Sequence, residues 1–419
     1  MQKLIIQGGN SLKGEVKIQG AKNSILPVLA GCVLCPGEVL IHNCPALSDV
    51  YSAARILNGL GCSCSVEKGA ARVNCTTVKS SRIPDGLMRE MRGSLFFLGA
   101  LLGRTGSCTL SLPGGCELGP RPIDLHISAL KQMGVSVKEN SGELEFECAE
   151  TLHGAKINLD FPSVGATENI ILAAVLAKGE TEISNAAREP EIKDLADFLN
   201  LCGADIKGAG SDKVVIRGVK KLHGCEFSVM SDRIAAATFL SAAACAGGEI
   251  VLRSCDCDSM QGIISVFRKM GCVIYCRKDS LFISVKTPVR AVRNIRTMPY
   301  PGFPTDAQPL VMSALAAAKG TSVIVETIFE NRYRHVSELL RMGADIKTVG
   351  QAAIIRGVKT LYGAKVKAPD LRGGAALVTA ALGAEGVAEI SDIAFIDRGY
   401  ESIEKSLGSL GADIKRVNF

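Results

Sequence analysis

One helix-ending phrase occurs six times along this chain, and the repetition limits the possible folds more than any single residue does. It reads LNGLGCSCSV from Leu57, LKQMGVSVKE from Leu130, LNLCGADIKG from Leu199, FRKMGCVIYC from Phe267, LLRMGADIKT from Leu339 and LGSLGADIKR from Leu407. Its glycines, Gly61, Gly134, Gly203, Gly271, Gly343 and Gly411, stand 68 to 73 residues apart. A second glycine series runs in phase with it: Gly37, Gly106, Gly179, Gly248, Gly320 and Gly386, each closing a helix of small residues before a strand. Self-similarity of this kind describes the whole architecture. The period is too long for a common solenoid unit, so each copy reads as a small α/β module.

The fourth copy shows how a module is built. Val214 to Gly218 (VVIRG) and CEFSV read as strands. SDRIAAATFLSAAACAGG reads as a helix ending at a glycine that can take a left-handed cap. GEIVLRS is a strand, a second helix runs from about Asp258 to Met270, and CVIYCRK is a strand again. A helix that is apolar nearly all round is buried. The fold expected is therefore α/β, with one buried helix per copy and sheets outside. The first strand pair, LIIQGGNSLKGEVKIQG, matches VVIRGVKKLHGCEFSV and AIIRGVKTLYGAKVKA, whereas the last strand, Ala412 to Val417, has no pair after it. The N-terminal strand is expected to return to it. A length of 419 residues exceeds one core. The division expected is residues 21–230 (copies one to three) and residues 1–20 with 231–419 (copies four to six).

Composition excludes several classes. No apolar run approaches the roughly 18 residues of a membrane span, and MQKLIIQGGNS lacks the apolar core of a signal peptide. Sixteen cysteines without a secretion signal indicate a reducing cytoplasm and not a disulfide scaffold. A net charge of +6 suits an anionic small molecule better than nucleic acid. Cys32 and Cys35 form a CxxC and Cys255 and Cys257 a CxC, but with no second pair at zinc spacing they read as small buried hydrophobes. Neither metal nor cofactor is expected.

Positions that diverge between copies are candidates for function. Fourteen residues before each glycine of the second series stand Asn23, Arg92, Gly165, Ile234, Asp306 and Arg372, with Lys22, Arg233 and Asp370 beside them. Thirteen before each glycine of the first series stand Ser48, Arg121, Pro190, Asp258, Glu330 and Arg398. All are expected at helix starts, where unpaired N–H groups and a partial positive charge favour anions. Arg and Lys gathered there suit a phosphorylated or carboxylated ligand. The loop Leu112 to His126 is the least repeat-like segment and a candidate lid, and Cys116 lies on it with Arg121 five residues on. In PYPGFPTDAQ, three prolines lead into Asp306, a candidate general base.

At these residues the chain resembles the UDP-N-acetylglucosamine 1-carboxyvinyltransferase family of enolpyruvyl transferases. The matching segments are GAKNSILP (Gly20 to Pro27), PGGCELGPRPIDLH (Pro113 to His126), PSVGATENI (Pro162 to Ile170), AREPEI (Ala187 to Ile192), PYPGFPTDAQ (Pro299 to Gln308), TIFENRYRHV (Thr327 to Val336), DLRGG (Asp370 to Gly374) and DRGYE (Asp397 to Glu401). The resemblance implies a two-domain inside-out α/β barrel, three copies per domain. It implies transfer of the enolpyruvyl group of phosphoenolpyruvate to the 3-hydroxyl of UDP-N-acetylglucosamine, opening peptidoglycan synthesis, with no nucleic acid, membrane or obligatory protein partner. It implies that Lys22, Arg121 and Arg398 hold phosphate, and that Arg92, Arg372 and Asn23 share the anionic pocket. Cys116 is implied as proton donor, phosphoenolpyruvate adduct site and fosfomycin target, and Asp306 as the base. Arg121, Pro122, Ile123, Asp124 and Leu125, then Phe161, Pro162, Ser163, Val164 and Gly165, and Ile328, Glu330, Arg332 and Asp370 are implied around the substrates. Ser48 and Phe161 stand where the family pattern carries Lys. The rivals are a 5-enolpyruvylshikimate-3-phosphate synthase-like transferase, a non-catalytic nucleotide-sugar binder, and an RNA 3′-phosphate cyclase, for which no His stands in a suitable context.

Overall fold

The computed structural model describes residues 2–111, 123–140 and 142–418. The chain divides into two compact units: residues up to Gln19 together with those from Ser231 on, and the described residues between Gly20 and Met230. Each has its own hydrophobic core. No described helix is long and apolar enough to cross a membrane.

All twelve repeat glycines take positive φ, from 73° at Gly106 to 115° at Gly37. This is the left-handed conformation that other residues adopt at a cost. They stop helices at fixed intervals, and strands follow. In the unit from Gly20 to Met230 the inner helices are Lys22–Gly31, Phe96–Thr105 and Val164–Ala174. In the other unit they are Arg233–Ala246, Gln308–Leu315 and Leu371–Leu382. These helices are buried on nearly every side, and three small sheets accompany each set of three. Sheets outside buried helices are the inside-out arrangement expected.

Small residues let the inner helices meet. At Gly99 a Cβ would lie 2.2 Å from the Asn169 carbonyl oxygen, and the Gly99 N–H instead donates to Asn169 Oδ1 at 2.7 Å. In the other unit three hydroxyls meet between the helices. Ser313 and Thr379 are 2.8 Å apart, Ser241 and Ser313 3.2 Å, and Ser241 donates to the Leu310 carbonyl at 2.5 Å. Each stands seven residues before its glycine, so repetition itself brings them together. Buried hydroxyls satisfied this way avoid the cost of an unmade hydrogen bond, about 1–3 kcal/mol each.

The strand Gln2–Gln7 pairs antiparallel with Asp413–Asn418, Gln2 opposite Asn418, and also with Val387–Ser391. The chain ends are thereby joined, as the unpaired last strand requires. Thirteen of the described cysteines are free, as expected of a chain that is not a disulfide scaffold, and one pair is bonded. Cys62 and Cys75 form a disulfide with Cα atoms 4.5 Å apart. They extend the antiparallel register Ser63↔Asn74 by one pair, which sets the two side chains face to face. Reading cysteines by compartment could not detect a pairing made by strand register. Cys32 and Cys35 are buried, as are Cys255 and Cys257.

Candidate active site

Each unit gathers charge where its inner helices begin. In the unit between Gly20 and Met230, Lys22 opens the first inner helix and is 8% exposed. Its Nζ lies 2.8 Å from Asp49 Oδ2, on the helix Ser48–Gly59. Asn23 follows, half-buried. Ser24 donates to Asp194, which also accepts the Met230 N–H at 3.2 Å. Arg92 begins the short turn Arg92–Leu95. Ser163 caps the third inner helix, accepting the Ala166 N–H at 3.3 Å, and Phe161 just before it is exposed. Pro162, Val164 and Gly165 are half-buried. A Cβ on Gly165 would meet the His126 ring at 3.3 Å, so glycine admits that ring, which also lies 3.1 Å from Asn169. Ile123 and Asp124 begin the helix Asp124–Gln132, with Leu125 half-buried. Cys116, Arg121 and Pro122 lie outside the described residues.

This unit also holds an acid that repeat comparison of helix starts passed over. Glu168 sits in the third inner helix with no exposed surface, and neither carboxyl oxygen has a hydrogen-bond partner among the described residues. Burial, then the neighbouring charges of Glu191 and Glu189, raise its pKa well above the usual carboxylate value.

In the other unit the charges converge on Asp306. Pro304 is extended, Thr305–Ala307 form a tight turn, and the inner helix Gln308–Leu315 follows with Pro309 in its first turn. Arg332 is 1% exposed; its Nη2 donates to Asp306 Oδ1 at 2.8 Å, and Nε and Nη2 donate to the Thr305 carbonyl at 3.2 and 3.1 Å. Arg372 is 3% exposed and donates from Nε to Asp306 Oδ2 at 3.3 Å. The Asp306 side chain itself keeps 27% exposure. Two buried cations thus fix the orientation of a carboxylate whose face remains open, the geometry a general base needs.

Behind Arg372 stands Tyr400. Its hydroxyl accepts from Arg372 Nη1 at 3.3 Å and lies 2.7 Å from Thr238 Oγ1. Burial alone would lower the Arg372 pKa, but Tyr400, Asp306 and Asp232 around it outweigh that and hold it above its ordinary value. Asp370 caps the helix Leu371–Leu382, its Oδ1 accepting from the N–H groups of Arg372 and Gly373 at 3.0 and 2.9 Å. Glu326, 1% exposed, gathers Thr297, Thr305 and the N–H groups of Ile328 and Phe329, which sets the half-buried Ile328.

Two positions differ from the expected placement. Glu330 is exposed and precedes the turn Arg332–His335 by two residues. Arg398 follows the short helix Ala394–Asp397, half-buried, and the next helix begins only at Ile403. Gly399 and Tyr400 interrupt the run, so the fixed count of thirteen does not mark a helix start there. Tyr400 and Glu326 were missed because their partners are distant in sequence; DRGYE and the step before TIFENRYRHV were the available signals.

The family profile described as EPSP synthase (3-phosphoshikimate 1-carboxyvinyltransferase) matches residues 6–407. UDP-N-acetylglucosamine 1-carboxyvinyltransferase 2 of Caldanaerobacter subterraneus subsp. tengcongensis is 51% identical over 417 residues, covering 100% of both chains. UDP-N-acetylglucosamine 1-carboxyvinyltransferase 1 of Clostridium acetobutylicum is 48% identical over 419 residues, again covering 100% of both. Among solved structures, the enolpyruvyl transferase NikO from Streptomyces tendae aligns with a TM-score of 0.90 at 24% identity, over 99% of each chain. EPSP synthase from Acinetobacter baumannii aligns at 0.76 and 19% identity over 100% of each. These two speak to the fold alone.

Proposed function

Because the chain belongs to the family of UDP-N-acetylglucosamine 1-carboxyvinyltransferases, we propose that it transfers the enolpyruvyl group of phosphoenolpyruvate to the 3-hydroxyl of UDP-N-acetylglucosamine and releases phosphate. The observation that carries this reading is full-length identity near one half, together with an Asp306 carboxylate aimed by two buried arginines.

Addition requires a proton on the methylene carbon of phosphoenolpyruvate and removal of one from the sugar hydroxyl. Cys116 is assigned the first transfer and Asp306 the second. The cationic carbon next to the ether oxygen is captured by the hydroxyl, giving a tetrahedral species that still carries phosphate. Loss of a proton from the new methyl group then expels phosphate and restores the double bond. Lys22, Arg121 and Arg398 are assigned to the phosphate, whose departing charge they stabilise. Asn23 and Arg92 join them. Arg332 and Arg372 act on Asp306, since their contacts are with it, Thr305 and Tyr400. Ile123, Asp124 and Leu125, the segment from Phe161 to Gly165, and Ile328 are assigned to the nucleotide sugar, with Phe161 offering an exposed ring where the family pattern has Lys. We assign the reaction to the cytoplasm and to the first committed step of peptidoglycan precursor synthesis.

The test is phosphate release from phosphoenolpyruvate with UDP-N-acetylglucosamine as acceptor, run beside shikimate 3-phosphate. Turnover with the nucleotide sugar alone supports the reading. Turnover with shikimate 3-phosphate alone replaces it with the synthase rival.

A further inference from the structure

His335 has no role in the scheme above, yet it touches both arms that hold Asp306. It ends the turn Arg332–His335 and is fully buried. Its Nδ1 lies 3.2 Å from the Arg332 carbonyl oxygen. A carbonyl can only accept, so Nδ1 carries the hydrogen. Burial lowers the ring's pKa to about 4; Asp370 pulls the other way, and the Arg332 charge adds to the lowering. The ring is therefore neutral, and Nε2 is an acceptor with no hydrogen-bond partner among the described residues.

On its other side lies the cap of the inner helix Leu371–Leu382. A Cβ built on Gly373 would stand 3.0 Å from His335 Cβ and 3.1 Å from Asp370 Oδ2. Glycine in DLRGG is what lets the His335 methylene pack against that cap. Asp370 Oδ2 is buried there without a partner among the described residues, while Oδ1 holds the N–H of Arg372. The ring stands between the turn that carries Arg332 and the cap that carries Arg372.

We propose that His335 is a positioning residue for Asp306: its Nδ1–H fixes the turn from which Arg332 reaches the carboxylate, and its packing on Gly373 seats the cap from which Arg372 reaches it. This rests on the enolpyruvyl-transfer reading, in which Asp306 is the base. A shift of the clamp by about 1 Å can cost on the order of a hundredfold in rate.

His335→Asn and His335→Gln test it. The Asn amide stands where Nδ1 stands and can donate to the Arg332 carbonyl; the Gln amide stands where Nε2 stands and cannot. The expected kcat is within about threefold of the unsubstituted chain for Asn and at least about tenfold lower for Gln, with KM for both substrates moved less than about threefold. Equal kcat in the two variants, or a Gln defect confined to KM, overturns the proposal. A double variant with Arg332→Lys gives a second reading. If His335 acts through Arg332, the Gln substitution adds little to it, whereas independent, multiplying losses overturn the proposal. An unsubstituted chain that releases no phosphate overturns the parent reading and this one with it, a result distinct because no variant is involved.

Discussion

Replacing Glu168 by Met should stabilise the unit between Gly20 and Met230, by an amount that grows with pH. Glu168 is fully buried, lacks a hydrogen-bond partner for either oxygen among the described residues, and sits beside Glu191 and Glu189. Burial and those two neighbours raise its folded pKa well above the usual carboxylate value. A raised acid contributes most to folding below its unfolded pKa, and that contribution is lost as pH rises toward the folded pKa. As pH rises, the unfolded chain releases this proton before the folded chain does. Stability from this group then falls as pH rises between the unfolded and folded pKa values, by at most about 1.4 kcal/mol per pH unit, the limit for one proton. Methionine of similar length removes the linkage and places an unbranched apolar chain in an apolar helix. Urea unfolding of the two chains at pH 5, 6 and 7, followed through the transition of that unit, measures the difference directly, because other titrating groups largely cancel. The expected gain for Glu168→Met widens with pH over this range, by no more than about 1.4 kcal/mol per unit. A gain that does not change with pH refutes the raised pKa of this buried acid.

Asp306→Asn keeps the shape of the side chain and removes the base; kcat should fall by about 10²–10⁴ in the phosphate-release assay while nucleotide-sugar binding by calorimetry persists. Tyr400→Phe deletes the hydroxyl that joins Arg372 to Thr238 and should lower stability by about 1–3 kcal/mol by thermal unfolding, with a smaller kcat. Cys116→Ala should abolish turnover and Cys116→Asp, which can still donate a proton, should keep some; mass spectrometry after fosfomycin treatment should find the epoxide added at Cys116.

Repetition made the backbone legible. Twelve glycines selected by spacing all adopt the left-handed conformation, and an unpaired final strand finds the first. Helix starts were legible where the module is regular, as at Lys22, Asp306 and Arg372. They were not legible at Glu330 and Arg398, where inserted turns break the count. Side-chain partnerships across the fold left the weakest trace. Tyr400 meets Thr238 162 residues away, and Cys62 meets Cys75 through strand register. Glu168 could have been found. Eleven residues before the glycine, the other copies carry Leu26, Leu95, Ala237, Pro309 and Ala375, so a carboxyl there departs from an apolar position.

The product of the reaction tests the central claim most directly. Incubated with phosphoenolpyruvate and UDP-N-acetylglucosamine, the protein should yield a nucleotide sugar whose proton NMR spectrum carries two vinyl signals from an enolpyruvyl ether at the 3-oxygen, with one phosphate released per ether formed. Unchanged UDP-N-acetylglucosamine, with phosphoenolpyruvate consumed only when shikimate 3-phosphate is supplied, would contradict it.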